Sequence, residues 1–354
     1  MKLTSLLQIF IFLLCTPALV FAQDEEDQVQ ENGTSLDYEY RVRTTHIQDS
    51  IYILEGKGGN VAVQIGKDGV LVVDSQFEAS APHILNAILR LSTQNVRLLI
   101  NTHHHGDHIG GNAVLKDMGA IAIAQRNNRN RIMEDLMKQE RQMMEDSLNV
   151  LMEQFRNKGA SEEEVERMAK EASADIEINI SENPLAQNIT FGENMTLYYN
   201  EDNIVLTHVH NAHTDGDAIV YFTKANVMHT GDAFISGKYP FIDLENGGTT
   251  AGYMEGLSKI IMMADDDVKI IPGHGKLATL DDVKYTQRML EFLTSRIEFY
   301  YLSGKTLEQI LAEREFTKEF DDKGFGNGFI NREKIITTLY QDVERKYKGK
   351  RSKN

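Results

Sequence analysis

The segment His103-His104-His105-Gly106-Asp107-His108 crowds four imidazoles and a carboxylate into a short stretch of chain. Imidazole and carboxylate are donors that zinc accepts. His103, His105, Asp107 and His108, in the spacing H-x-H-x-D-H, cannot all be buried unless something satisfies them. In extended or loop geometry alternate residues project the same way, so His103 and His105 can grip one ion while Asp107 and His108 turn toward another. A solvated polyhistidine loop is the plain alternative. Three later motifs weaken it: Ala212-His213-Thr214-Asp215-Gly216-Asp217, Thr230-Gly231-Asp232 and Pro272-Gly273-His274-Gly275. Each sets a ligand-type residue near glycine at a strand-to-loop boundary, where backbone can approach closely.

In this order the four motifs resemble the signature of the metallo-β-lactamase superfamily, H-x-H-x-D-H followed by a single His, an Asp and a final His. The resemblance spans roughly Ile51 to Leu277. It implies an α/β (α+β) chain folded as a four-layer αβ/βα sandwich, with two metals in a groove where the edges of the two sheets meet. It also implies that His103, His105 and His213 bind the first ion, that Asp107, His108 and His274 bind the second, and that Asp232 bridges them. The expected cofactors are two Zn2+, with iron or manganese as alternatives. One class of true β-lactamases puts a cysteine on the second ion, and Cys15 is the only cysteine here. Asp232 instead resembles the bridging carboxylate of glyoxalase-II-like members, which true β-lactamases of the cysteine-free class generally lack.

Two zinc ions about 3.5–4 Å apart share a water, lower its pKa toward about 7 and clamp the attacking and carbonyl or phosphoryl oxygens. Asp107 can position that nucleophile and move its proton. The expectation is therefore a zinc-dependent hydrolase that uses metal-bound hydroxide on a small ester, lactone, thioester or cyclic amide, β-lactam hydrolysis being one case. Two other classes stay open. One is a non-haem iron oxidoreductase on the same scaffold, as in persulfide dioxygenases and flavodiiron proteins, although histidine at His105 and a filled ligand set argue against it. The other is a metal-binding accessory protein without turnover, since fold and function are separable.

Around these ligands, Asp74 is read either as the partner that fixes a ligand imidazole's tautomer or as a turn aspartate. His104 is expected to face away from the metals. His208, His210 and His229 read as hydrogen-bonded structural histidines, His210 being the one best placed to touch the site. The loop 234–241 is expected near the metals, where Lys238 or Tyr239 would meet a substrate carboxylate or ring, a solvated lysine being the alternative. Gly247-Gly248-Thr249-Thr250 reads as an N-cap, with anion binding through free amides as the rival.

The chain that must position these groups has 354 residues, 41% hydrophobic and 8% aromatic, enough for one large core or two smaller ones. Residues 1–22 read as a secretory signal peptide: Lys2, an apolar run from Leu3 to Leu14, and Val20-Phe21-Ala22 before the cut. Pro17 breaks the run, which falls short of the roughly 20 residues a membrane span needs. Leu14 argues against a lipid anchor at Cys15. Cleavage leaves no disulfide, no thiolate ligand and no stable membrane span, which fits a periplasmic or secreted protein. The formal charge of −16 becomes one unit more negative when Lys2 leaves. So acidic a chain suits a small-molecule substrate and makes nucleic acid an unexpected partner. The sequons at Asn32, Asn188 and Asn194 read as chance.

Residues 23–37 are acidic and polar and read as a disordered lead-in. A metallo-β-lactamase-fold domain is expected over 38–354, with a helical insertion at 126–187 and a helical C-terminal extension at 281–354. Strands are read at Ile51–Leu54, Val61–Ile65, Val70–Val73, Val96–Ile100, Ala120–Ala124, Met195–Tyr199, Ile204–Val209, Ala218–Phe222, Val227–Thr230 and Lys269–Ile271. Helices are read at Pro82–Leu91, Asn112–Met118, 250–264, 281–302 and 306–313, the last opened by a Thr306/Gln309 capping box. The insertion carries an apolar stripe, Met133, Met137, Met144, Leu148, Leu151 and Phe155, and a Ser161/Glu164 capping box. The stripe reads as packing on the body, or the insertion as a lid over the substrate.

Overall fold

Short runs of β-branched and aliphatic residues, broken by glycine and Asx turns, build two sheets. The computed structural model describes residues 40–174 and 183–348. Residues 1–22, read as a leader, residues 23–37, read as a lead-in, and Cys15 with them lie outside the described residues. These residues divide into two compact units, 40–134 with 183–348, and 135–174.

In the larger unit, a seven-stranded sheet runs β1 (Arg43–Gln48), β2 (Ile51–Glu55), β3 (Val61–Gly66), β4 (Gly69–Val73), β5 (Val96–Asn101), β6 (Ile121–Gln125), β7 (Ile189–Phe191). Its first four strands are an antiparallel meander, and β4 to β7 pair in parallel. The second sheet has the order β12 (Lys269–Ile271), β11 (Val227–His229), β10 (Asp217–Phe222), β9 (Asp202–Val209), β8 (Asn194–Tyr199). Only β11 and β12 pair in parallel there.

Strand alternation separates the layers. Leu71 and Val73 of β4, Ala62 of β3 and Ile100 of β5 meet Ile204, Leu206, Ala218, Val220 and Phe222 of the facing sheet in one buried cluster. Val70, Val72, Val61 and Val63 point the other way, onto Ile84 and Ile88 of the helix Ala81–Leu91 and Leu115 of the helix Asn112–Asp117. The outer face of the second sheet, through Val209, Ile219 and Met228, packs on the helices Thr250–Met263, Leu280–Leu302 and Arg332–Tyr347. The result is the four-layer αβ/βα sandwich.

The capping residues behave as their chemistry requires. Thr306 and Gln309 close a reciprocal box, and Thr249 caps its helix by accepting from Gly252 N–H, so the Gly247–Thr250 segment is an N-cap. Strand β1 had no expectation, because Arg43–Gln48 is polar, mostly exposed and held chiefly by backbone pairing to β2. The three-residue β7 is too short to announce itself by alternation.

The helix Arg126–Asn157 starts in the larger unit and runs into the smaller, where Glu162–Ala174 follows. Within the smaller unit Ser161 and Glu164 bond reciprocally, and Arg156 pairs with Glu162. Of the expected stripe, Met144, Leu148, Leu151 and Phe155 are half-buried but Met137 is exposed, as are Met143 and Val150 off the stripe. No helix among the described residues is long and apolar enough to cross a membrane.

Candidate metal centre

Every sequence-assigned metal ligand sits on a segment that leaves the C-terminal end of a strand. Strand β5 ends at Asn101, and Thr102 to His105 lead into the short helix Gly106–Ile109, which carries Asp107 and His108. His213 follows β9, Asp232 lies in the 3-10 turn Gly231–Ala233 after β11, and His274 follows β12. Ligands collect at such ends because the strands there diverge into loops that rigid sheets hold in place.

The structure gathers these residues into overlapping groups: His103, His105 and His213; His103, His108 and Asp232; and Asp107, His108 and His274. Within each group the donor atoms lie within 4.8 Å of one another. His213 Nε2 is 2.8 Å from His105 Nδ1, and His108 Nε2 is 3.4 Å from His274 Nε2. Asp232 spans the two halves. Its Oδ1 lies 3.3 Å from His108 Nε2 and 3.6 Å from His274 Nε2, and its Oδ2 lies 3.8 Å from His213 Nε2. Asp107 Oδ2 is 3.0 Å from His274 Nε2.

The outward nitrogens decide what the inward ones can be. His213 Nδ1 donates to the Phe241 carbonyl at 2.7 Å, and His105 Nε2 donates to Asp243 Oδ2 at 3.0 Å. His108 Nδ1 donates to Asp74 Oδ2 at 2.8 Å. Thr102 Oγ1 spends its proton on Asp74 at 2.7 Å and can accept from His103 Nδ1 at 3.2 Å. Each neutral ring therefore turns a lone pair inward, and the buried Nε2 of His103 has no hydrogen-bond partner. Converging lone pairs without a proton between them are what a cation satisfies, so these residues fit the family's metals.

Charge is arranged differently in the two halves. Burial, with the neighbouring imidazoles, holds His103 well below the ordinary histidine range, and burial takes His213 down to about 4. His108 is raised despite burial, because the carboxylates of Asp232 and Asp74 outweigh it; His274 is raised against burial by Asp232 and Asp107. Asp232, although buried, is kept well below the carboxylate range by His274 and His108.

Two glycines make room. A Cβ on Gly273 would fall 1.9 Å from Asp232 Oδ1, and one on Gly59 would fall 2.3 Å from His108 Cε1. Asp74 adopts the left-handed region, φ 63°, and its carboxylate also accepts from Thr102 N at 2.8 Å. One buried aspartate thus fixes both the start of the ligand loop and the ring of His108.

The remaining sequence-assigned residues lie as follows. His104 belongs to none of these groups among the described residues, and burial lowers it to about 3. The structure does not bring Lys238, Tyr239 or His210 into the cluster of ligands. Lys238 Nζ donates to the Gly324 carbonyl, and the buried Tyr239 hydroxyl donates to Asp321 at 2.9 Å, so both serve the C-terminal segment. His210 pairs with Glu193 at 2.8 Å. His229 donates to the Asn60 carbonyl and accepts from Gly231 N–H, and His208 Nε2 donates to the Asp215 carbonyl.

Sequence reasoning expected the loop 234–241 near the metals but gave Phe241 no role there, and it missed Asp243. Asp243 also receives Asn246 Nδ2 at 2.7 Å and so holds its own loop while it orients His105. The Phe241 ring stacks on His105 at 5.8 Å, stands against His213 at 5.4 Å and meets the exposed Phe329 at 5.7 Å. Neither residue lies in a motif, and the fold sets both behind the histidines.

This fold, with clusters of His and Asp that could hold metal, defines a class, and the family model described as the metallo-beta-lactamase superfamily matches residues 54–274. The chain belongs to that superfamily. Among solved structures it is similar to the DIM-1 metallo-beta-lactamase, with 16% identity, a TM-score of 0.51, and 71% of this chain and 97% of that one covered. It is also similar to a double mutant of the sec-alkyl sulfatase PisA1, with 15% identity and a TM-score of 0.60, covering 87% of this chain and 50% of that one. At these identities the likeness is one of fold.

Proposed function

We propose that the chain is an exported, dinuclear zinc hydrolase acting on a small ester, lactone, thioester or cyclic amide that carries an apolar group. The observation that carries this reading is the pairing of inward lone pairs with outward hydrogen-bond acceptors on His103, His105, His108 and His213, with Asp232 set between the two halves. Bound zinc supplies Lewis acidity and acidifies water, which is the chemistry such hydrolysis needs.

The residues then divide the work. His103, His105 and His213 would hold the first ion, Asp107, His108 and His274 the second, and Asp232 would bridge. Asp107 is partly open to solvent beside His274, where it can take the proton that water loses on adding to the carbonyl carbon and return it to the leaving oxygen, sulfur or nitrogen. Asp74, Asp243 and the Phe241 carbonyl keep the imidazoles in the ligating tautomer. Phe241 and Phe329 give the first half an aromatic wall, which supports a substrate with an apolar side. Export rests on the leader read in residues 1–22, and nucleic acid and membrane have no place in this reading.

The test is metal analysis of protein purified without added metal, followed by assay of the zinc-loaded enzyme on β-lactams, lactones, thioesters, alkyl esters and secondary alkyl sulfates. Hydrolysis that disappears in His105→Ala and Asp107→Asn supports the reading. Iron with oxygen uptake, or zinc without turnover on the whole panel, sinks it.

A further inference from the structure

Beyond the central ligands the chain assembles a second kind of donor cluster, on the edge of the second sheet. Glu193 immediately precedes the edge strand β8, and its carbonyl accepts from His208 N–H at 2.8 Å across the pairing to β9. His208 and His210 are two residues apart, so they project to the same face, with ring centroids 4.1 Å apart. Glu193 Oε2 lies 2.8 Å from His210 Nε2, and one donor atom from each of the three residues lies within 4.8 Å of the others.

His208 is the informative member. Its ring is buried, and its Nε2 is committed as a donor to the Asp215 carbonyl at 3.0 Å. A neutral imidazole with Nε2–H has its lone pair on Nδ1, and that buried Nδ1 has no hydrogen-bond partner. A buried acceptor left unpaired costs free energy, and two exposed donors beside it offer what a cation needs. Lys259 is turned to the His208 carbonyl, to which Nζ donates at 2.7 Å.

We propose that Glu193, His208 and His210 form a third cation site, which takes zinc with water completing the coordination. The site is separate from the central ligands and does not depend on the hydrolase reading. It is joined to them through one bond. A cation on His208 Nδ1 makes Nε2–H a stronger donor to the Asp215 carbonyl, and Asp215, whose carboxylate pairs with Arg131 at 2.7 Å, follows two residues after His213. The peripheral ion thereby braces the loop that carries a central ligand.

Equilibrium dialysis of the full chain against zinc, followed by metal analysis, tests this by difference. Glu193→Gln, a change at an exposed position, is expected to bind one ion fewer than wild type, or to bind that ion at least about tenfold more weakly. Loss of an outer-shell partner alone costs about 10–100-fold, and a direct ligand is worth no less. His105→Ala is expected to keep this ion while losing central metal. Anomalous scattering from zinc-loaded crystals should place a peak among Glu193, His208 and His210. Equal uptake at equal affinity by wild type and Glu193→Gln, or zinc-loaded crystals with no peak there, overturns the proposal. If His105→Ala changes nothing while Glu193→Gln loses one ion, the central dinuclear reading fails and the third site stands.

Discussion

The two halves of the central site are built from similar donors but solve opposite electrostatic problems. Around His103, His105 and His213 every donor is an imidazole, and burial and mutual repulsion keep protons off His103 and His213. Around Asp107, His108 and His274 the carboxylates of Asp107 and Asp232 draw positive charge, so His108 and His274 hold protons more tightly than ordinary histidines. The first half excludes protons and waits for a cation; the second is ready to exchange protons for one. Each half also has its own backing aspartate, Asp243 behind His105 and Asp74 behind His108.

The largest effect should come from the one residue that belongs to both halves. Asp232→Asn removes a carboxylate with an oxygen toward each set of imidazoles. Loss of activity on the order of 10²–10⁴-fold is expected, with metal content reduced, because charge stabilisation and metal retention fail together. Metal analysis beside kinetics checks it. Full metal content with near wild-type turnover would show that the halves act independently of Asp232.

The backing aspartates break the comparison more gently. Asp74→Asn should weaken metal binding in the second half, and Asp243→Asn in the first, each by about 10–100-fold, the usual cost of losing a partner that orients a ligating histidine. Asp74 is fully buried and holds Thr102 by two bonds, so its replacement should also cost about 1–3 kcal/mol of stability. Asp243 also serves Asn246 and Glu245 near the surface of its loop, so Asp243→Asn should cost less. Competition with a chelator and denaturant unfolding read the two effects separately.

How far the sequence disclosed this comparison follows from how each group is encoded. The candidate ligands are compressed into H-x-H-x-D-H and three glycine-flanked motifs, because tight loop geometry restricts both spacing and neighbours. Asp74 was half legible, since an aspartate that ends a strand reads as well as a turn residue as it does as the partner of an imidazole. Asp243 and the contacts of Phe241 were not, because position in the loop after Asp232 says nothing of which imidazole each residue backs. Among strands, the aliphatic runs of β2 to β5 declared themselves through core-forming residues, whereas β1 is held chiefly by backbone bonds that no side-chain pattern records. Lys238 and Tyr239 show how a side chain can have partners that its own segment does not announce. Position in a loop after Asp232 suggested a substrate contact, yet their polar atoms bind Gly324 and Asp321, residues far away in sequence.

The opposed proton affinities give a pH test in metal-free protein. At pH 6, below the ordinary histidine pKa of about 6.5, NMR of ring nitrogens should find His103 and His213 mostly neutral and His108 and His274 mostly protonated. The stability consequences have opposite signs. His213, depressed to about 4, contributes stability that is lost as pH falls from about 6.5 toward 4. His108 and His274, raised by their carboxylates, contribute stability that is present below about 6.5 and lost as pH rises through their folded values. Four rings that titrate together would remove the distinction between the halves.

The smallest effect concerns the aromatic wall, which belongs to the first half alone: Phe241 touches His105 and His213, and Phe329 extends it into solvent. Phe329→Ala leaves every ligand and backing aspartate in place and removes apolar surface together with the ring over which Lys334 Nζ sits at 4.1 Å. At about 25 cal/mol per Å2, loss of about 50 Å2 of substrate contact is worth roughly 1.3 kcal/mol, or close to tenfold. The expected result is a higher KM for apolar substrates, with kcat and metal content unchanged, because a distant apolar contact binds ground state and transition state alike. If kcat falls instead, the wall positions the reacting bond. If neither parameter moves across substrates of graded apolar size, the first half has no apolar side and the substrate approaches from the carboxylate side at Asp107.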